Sequence, residues 1–86
     1  MTIKYTKHAE TILRERKIGK DVVEELLNNP QQILKGRGNN EIAQGIFNRA
    51  GKDFLLRIVY KKEGRIIKVI TTYWTSKVEK YWEGKR

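Results

Sequence analysis

The sequence contains no cysteine, which rules out a disulfide and a thiolate metal site. It has one histidine, so a zinc site built from protein ligands alone is not expected, and neither is any other metal or cofactor. A single proline and no low-complexity tract leave no linker on which to divide the chain. Its 86 residues are read as one small domain, 1–86, with a core modest enough for homodimerisation to add stability. The first residues, MTIKYTKHAE, lack an apolar signal core, and no hydrophobic run approaches a membrane span. A cytoplasmic protein without membrane attachment is the expectation. Catalytic signatures are scarce as well: there is no GxSxG, no P-loop, no HExxH and no cysteine nucleophile.

Acidic residues are in short supply. Ten Asp and Glu stand against nineteen Lys and Arg, a formal net charge of +9. On so small a domain this excess points to phosphate-bearing partners or to an acidic protein. A Lys-rich solvated face is the plainer explanation of the same count.

What is present is organised around DFLLRIVYKKEGRIIKVITTY, residues 53–73. Two runs, Asp53–Lys61 and Arg65–Tyr73, are dense in β-branched and aromatic residues and read as strands. Lys62-Glu63-Gly64 separates them, with Gly64 free to take a positive φ. Alternation places Phe54, Leu56 and Ile58 on one face and Leu55, Arg57, Val59 and Lys61 on the other. A loop of two or four residues sets Ile58 opposite Val69 and Val59 opposite Lys68. Ile67 and Val69 then join the apolar face, and Lys68 joins Arg57 and Lys61. A three-residue loop mixes the faces. The even loop is the expectation because it segregates them.

Upstream, Thr2–Tyr5 reads as a short strand and Thr6 as the N-cap of a helix over Lys7–Lys17. Ala9, Ile12, Leu13 and Arg16 share one stripe of that helix. Arg16 is out of place there. Either its stem lies on the core while its head meets the last carbonyls, Glu24 or Glu25, or it is held at the edge of a phosphate site. A second helix spans Lys20–Asn28 with Val22, Val23, Leu26 and Leu27 inward, and Asn29-Pro30 ends it. Gln31–Lys35 and Ile42–Asn48 read as strands, with Gly45 a bulge or a point of close approach. The GxG of Gly36–Gly38 lacks a strand-to-helix setting and reads as a turn. A final short helix over Lys77–Trp82, capped by Thr75 or Ser76, spaces Val78, Tyr81 and Trp82 on one side. That side either packs on the sheet edge or, with Lys77 and Lys80, docks a partner or stacks bases. The whole is an α+β domain whose four later strands form an antiparallel meander.

One chemistry suits the residue types. Cleaving an RNA backbone without metal needs a base for the 2′-OH, a cation for the phosphate and an acid for the leaving 5′-oxygen. His8 and the tyrosines can move protons, and Arg16, Arg57 and Lys68 can meet phosphate. His8, near a helix N-terminus, is read as a candidate base; the alternative is an amphipathic surface residue. Non-catalytic nucleic-acid binders share this set of residues.

The motifs HAETILRERKI, then Asn29-Pro30, then Arg57, Val59-Tyr60 and Ile70-Thr71 resemble small bacterial and archaeal domain-of-unknown-function proteins that group with RelE/ParE-like toxins. The resemblance spans Tyr5–Tyr73. It implies two N-terminal helices on a twisted antiparallel sheet. It further implies a type II toxin that cleaves or binds RNA, ribosome-bound messenger included, with a small acidic antitoxin as partner. His8, Arg16, Arg57 and Tyr73 are the catalytic candidates it suggests. Arg57, Lys61, Lys68 and Lys77 form the expected nucleic-acid surface. The rival expectations are a non-catalytic nucleic-acid-binding module and a ParE-like or inactive protein-interaction domain.

Overall fold

The computed structural model describes residues 2–85. Strand β1 (Thr2–Tyr5) leads into helices α1 (Lys7–Glu15) and α2 (Lys20–Asn28). Strands β2 (Gln32–Lys35), β3 (Asn40–Arg49), β4 (Lys52–Glu63) and β5 (Ile66–Thr75) follow, then one turn of helix, α3 (Val78–Tyr81). The order in the sheet is β1-β5-β4-β3-β2. The last four strands form the expected antiparallel meander, and β1 joins its edge parallel to β5. The fold is α+β, with a five-stranded mixed sheet and three helices among the described residues.

Both long helices cover one face. Ala9 and Leu13 of α1 and Val23, Leu26 and Leu27 of α2 are buried with Ala43, Leu56, Ile58, Tyr60, Ile67 and Val69 of the sheet. Thr6 caps α1 by accepting a bond from the Ala9 amide at 3.0 Å. Helix α1 ends earlier than expected. Lys17 takes the left-handed conformation at φ 54°, Ile18 N–H bonds the Leu13 carbonyl and Lys17 N–H the Arg14 carbonyl. These are the bonds of a Schellman stop, with Ile18 folding back on the core. Arg16 is therefore the C-cap, not a member of the apolar stripe. Gly45 is a point of close approach: an added Cβ would lie 2.7 Å from Leu26 Cδ1.

The β4–β5 turn is Gly64-Arg65, with Gly64 at φ 62°. The loop is even, as expected, but centred one residue later. Tyr60, not Ile58, faces Val69, and Lys61, not Val59, faces Lys68. Ile58 and Val69 still share the core face, because moving a pairing by two residues preserves sidedness. Between Tyr60↔Val69 and Val59↔Thr71 the register slips by one, leaving Ile70 as a β-bulge. Beyond it, Tyr73 lies opposite Arg57, where simple alternation sets it on the other face.

Candidate functional site

The bulge assembles the site. Across four strands the pairings Gln32↔Gln44, Gln44↔Arg57 and Arg57↔Tyr73 line up one polar row on the face turned away from α1 and α2. Its side chains bond in sequence. Gln44 donates to Gln32 Oε1 at 2.8 Å, Arg57 Nε donates to Gln44 Oε1 at 2.9 Å, and Arg57 Nη1 donates to the Tyr73 hydroxyl at 2.7 Å. Thr72 reinforces the strand pair by donating to the Arg57 carbonyl at 2.8 Å.

Helix α3 lies over this row rather than on the sheet edge. The Tyr81 ring sits 4.3 Å from the Arg57 guanidinium carbon, a cation–π distance. Gln44 also donates to the Tyr81 carbonyl, and Gln32 exchanges two bonds with the Glu83 backbone, its Oε1 accepting and its Nε2 donating. Val78 completes the attachment by burying its side chain.

Arg57 is only 8 % exposed, and Gln44 is fully buried. A buried guanidinium is ordinarily neutralised by a carboxylate. Here both hydrogen-bond partners are neutral, and no acidic side chain among the described residues pairs with Arg57. Its Nη2 has no hydrogen-bond partner among the described residues. Since none of their buried side-chain nitrogens lacks a partner, Nη2 reaches the surface. The Tyr73 hydroxyl uses its oxygen to accept from Arg57, which leaves its proton to donate. The pair therefore presents a fixed positive fork and a hydroxyl proton side by side, the donors that a tetrahedral anion accepts.

Two of the four catalytic candidates do not join this pair. His8 and Arg16 are exposed on α1, in the layer that packs on the opposite face of the sheet. The four residues do not converge, because alternation from the buried Ile58 turns Arg57 away from the helices. Arg16 meets neither Glu24 nor Glu25; Glu24 instead accepts a 2.6 Å bond from Tyr5. Burial, then that bond, push the Tyr5 phenol well above its ordinary pKa, so it serves as a protonated strut between β1 and α2. Of the expected nucleic-acid residues, Lys61 and Lys68 pair on the same face as Arg57, and Lys77 stands exposed at the α3 N-cap.

Gln44 and Gln32 are the participants that sequence reading missed; Tyr81 is legible there as part of the last helix's aromatic side, but its contact with Arg57 is not. Gln44 carried a signal: it interrupts Ile42 and Ile46 at strand period, a polar residue on an otherwise apolar face. Among the described residues, no group of three or more His, Asp or Glu is placed to hold a metal. Shallow hollows of about 300 and 220 Å³ lie at the β4–β5 turn and the β2–β3 loop, away from Arg57 and Tyr73. No described helix is long and apolar enough to cross a membrane.

Residues 5–74 match the model of a family described as a domain of unknown function, DUF4258. No curated protein and no solved structure matches the chain. The match covers most of the 86 residues, and the chain belongs to that family.

Proposed function

We propose that this protein acts on RNA, cleaving its backbone without metal at the Arg57–Tyr73 pair, as a RelE-like toxin held in check by a small acidic antitoxin. The observation that carries the proposal is the buried Arg57 guanidinium, which has only neutral hydrogen-bond partners among the described residues and a terminal nitrogen left to offer. A phosphodiester supplies the negative charge that the fold withholds.

In the reaction, the substrate 2′-oxygen attacks phosphorus and the bond from phosphorus to the 5′-oxygen breaks. The products are a 2′,3′-cyclic phosphate and a 5′-hydroxyl. Arg57 holds the non-bridging oxygens as their charge builds, a contribution that grows in the low-dielectric shelter of α3. Tyr73 gives its hydroxyl proton to the leaving 5′-oxygen, and water returns it. The proton of the 2′-OH passes to solvent.

One observation favours a second reading, a non-catalytic RNA-binding module on the same surface. With His8 on the other layer, Tyr73 is, among the described residues, the one proton-transfer side chain hydrogen-bonded to Arg57. The two readings separate with end-labelled RNA incubated with purified protein in EDTA, with and without ribosomes. Cleavage by the wild type that falls by about 10²–10⁴ in Tyr73→Phe, with RNA affinity retained, supports the enzyme. Binding with no cleavage by the wild type leaves the module. Cleavage that depends on His8 and not on Tyr73 overturns the assignment of roles.

A further inference from the structure

Along β4 from Arg57, at Lys61, the same face carries a row of cations. Lys4 of β1 pairs with Lys68 of β5, and Lys68 pairs with Lys61 of β4. Partners directly opposite in neighbouring strands point to the same side, so three lysines stand abreast. The core residues confirm the side: Ile3 and Tyr5, flanking Lys4, pack against the helix-side cluster, as do Tyr60, Ile67 and Val69. Neighbouring strands lie about 4.8 Å apart, which sets the row at roughly 10 Å across. At about 3.3 Å per residue, Lys61 lies roughly 13 Å from Arg57 along the strand.

Like charges directly opposite destabilise a sheet. None of these lysines has an ion pair among the described residues, where Lys20 bridges to Glu10 and Lys62 to Glu41. Glu41 and Lys62 lie on the helix-side face by alternation, and the nearest strand carboxylate on the open face is Glu63, one rung beyond Lys61 and paired with Ile66. Between the Arg57 row and the lysine row Leu34, Ile42 and Val59, paired in sequence and half-buried, form a largely apolar floor that Thr71 continues opposite Val59. A strip with cations at both ends and a largely apolar middle fits an extended polyanion whose non-phosphate parts are weakly polar.

We infer that Lys4, Lys61 and Lys68 are a second anion-binding rung, which holds the backbone of a single-stranded RNA on the open face a short way along the strand from the phosphate at Arg57. This rests on the RNA reading above, and it adds Lys4 to the surface. Lys4 and Lys61 lie far apart in sequence, and the parallel pairing of β1 with β5 brings them to either side of Lys68.

The test uses the full chain and a fluorescein-labelled, 2′-O-methylated single-stranded RNA of about twenty nucleotides, which binds without being cut and is long enough to span both rows. Wild type is compared with the triple variant Lys4→Gln, Lys61→Gln, Lys68→Gln. Lys7→Gln, on the exposed side of α1, is the control for loss of charge. The triple variant is expected to bind on the order of tenfold or more weakly at low salt, with a salt slope lower by about 2, since each single-strand phosphate contact contributes about 0.7. Its melting temperature at low salt is expected to rise, because the like-charge row is relieved. Lys7→Gln should change neither the slope nor the affinity by more than a small factor. An unchanged slope in the triple variant, or an equal loss in Lys7→Gln, overturns the inference. So does a fall in melting temperature that accounts for the lost binding by unfolding. With the same RNA carrying free 2′-OH groups, a wild type that binds through this row yet never cleaves leaves the rung standing and the catalytic reading fallen. If the wild type cleaves and the triple variant cleaves with unchanged KM, the rung falls and the catalytic reading stands.

Discussion

Replacing Arg57 with methionine separates a guanidinium kept for stability from one kept for a ligand. The substitution removes two charge-assisted hydrogen bonds, to Gln44 and Tyr73, each worth about 1.5–3 kcal/mol, and a cation–π contact worth about 0.5–2 kcal/mol. It also strands the Gln44 carbonyl oxygen in a fully buried residue, at about 1–3 kcal/mol. Against these losses stands the desolvation of a guanidinium with no carboxylate partner, itself several kcal/mol. Methionine fills a similar volume with a flexible apolar chain. The desolvation relieved offsets much of these losses, so Arg57→Met is expected to lie within about 3 kcal/mol of wild type. Arg57→Ala, which also opens a cavity, is expected to be less stable than Arg57→Met by about 1–3 kcal/mol. Urea and thermal unfolding read both values; 1 kcal/mol is about 4–8 °C in Tm for a domain of this size. Both variants should lose RNA affinity. A loss above about 3 kcal/mol in Arg57→Met shows that the charge is structural, and the anion-site reasoning then fails.

Three further outcomes are expected. Gly45→Ala should lower stability by about 1–3 kcal/mol, because the new methyl meets Leu26 at 2.7 Å in a packed layer; an unchanged melting temperature refutes the close packing of α2 on β3. Thr6→Ala should cost about 0.5–2 kcal/mol for the cap alone and should also disturb Tyr73, since the Thr6 hydroxyl donates to the carbonyl of the bulge residue Ile70 at 3.1 Å; Thr6→Ser should restore both, and Tyr73 NMR shifts report the second effect. Burial first, with carboxylates beside them, raises the pKa values of Tyr5 and Tyr60 above the ordinary 10.0. The folded state then holds more protons than the unfolded state above pH 10, so stability is intact below that pH and falls as pH rises past it. Tyr5→Phe should flatten this alkaline fall, and a slope equal to wild type contradicts the buried, protonated phenol.

Much of the architecture is legible in alternation and capping. Thr6, Asn29-Pro30 and the apolar stripe of α2 place both helices, and the split of Ile58 from Arg57 assigns the two faces of β4. The local geometry of β5 is not legible. Ile70, Thr71 and Thr72 are all good strand formers, so nothing in their types marks which residue bulges, and the bulge alone decides where Tyr73 points. Arg16 misled for a related reason: the helix ends at Glu15 because Lys17 takes a left-handed conformation that favours glycine, and a lysine gives no sign of that stop. The pairing of Lys4 with Lys68 depends on a parallel edge strand from the opposite end of the chain, and local pattern carries no information about it.

The contact between Arg57 and a phosphodiester can be read directly from the Arg57 Nε–Hε signal in a ¹⁵N-labelled sample titrated at low salt with a 2′-O-methylated single-stranded RNA. That signal is expected to shift saturably, together with the amides around Lys61 and Lys68. Shifts confined to α1 around His8 and Arg16, with the Arg57 signal unmoved at saturation, would contradict it.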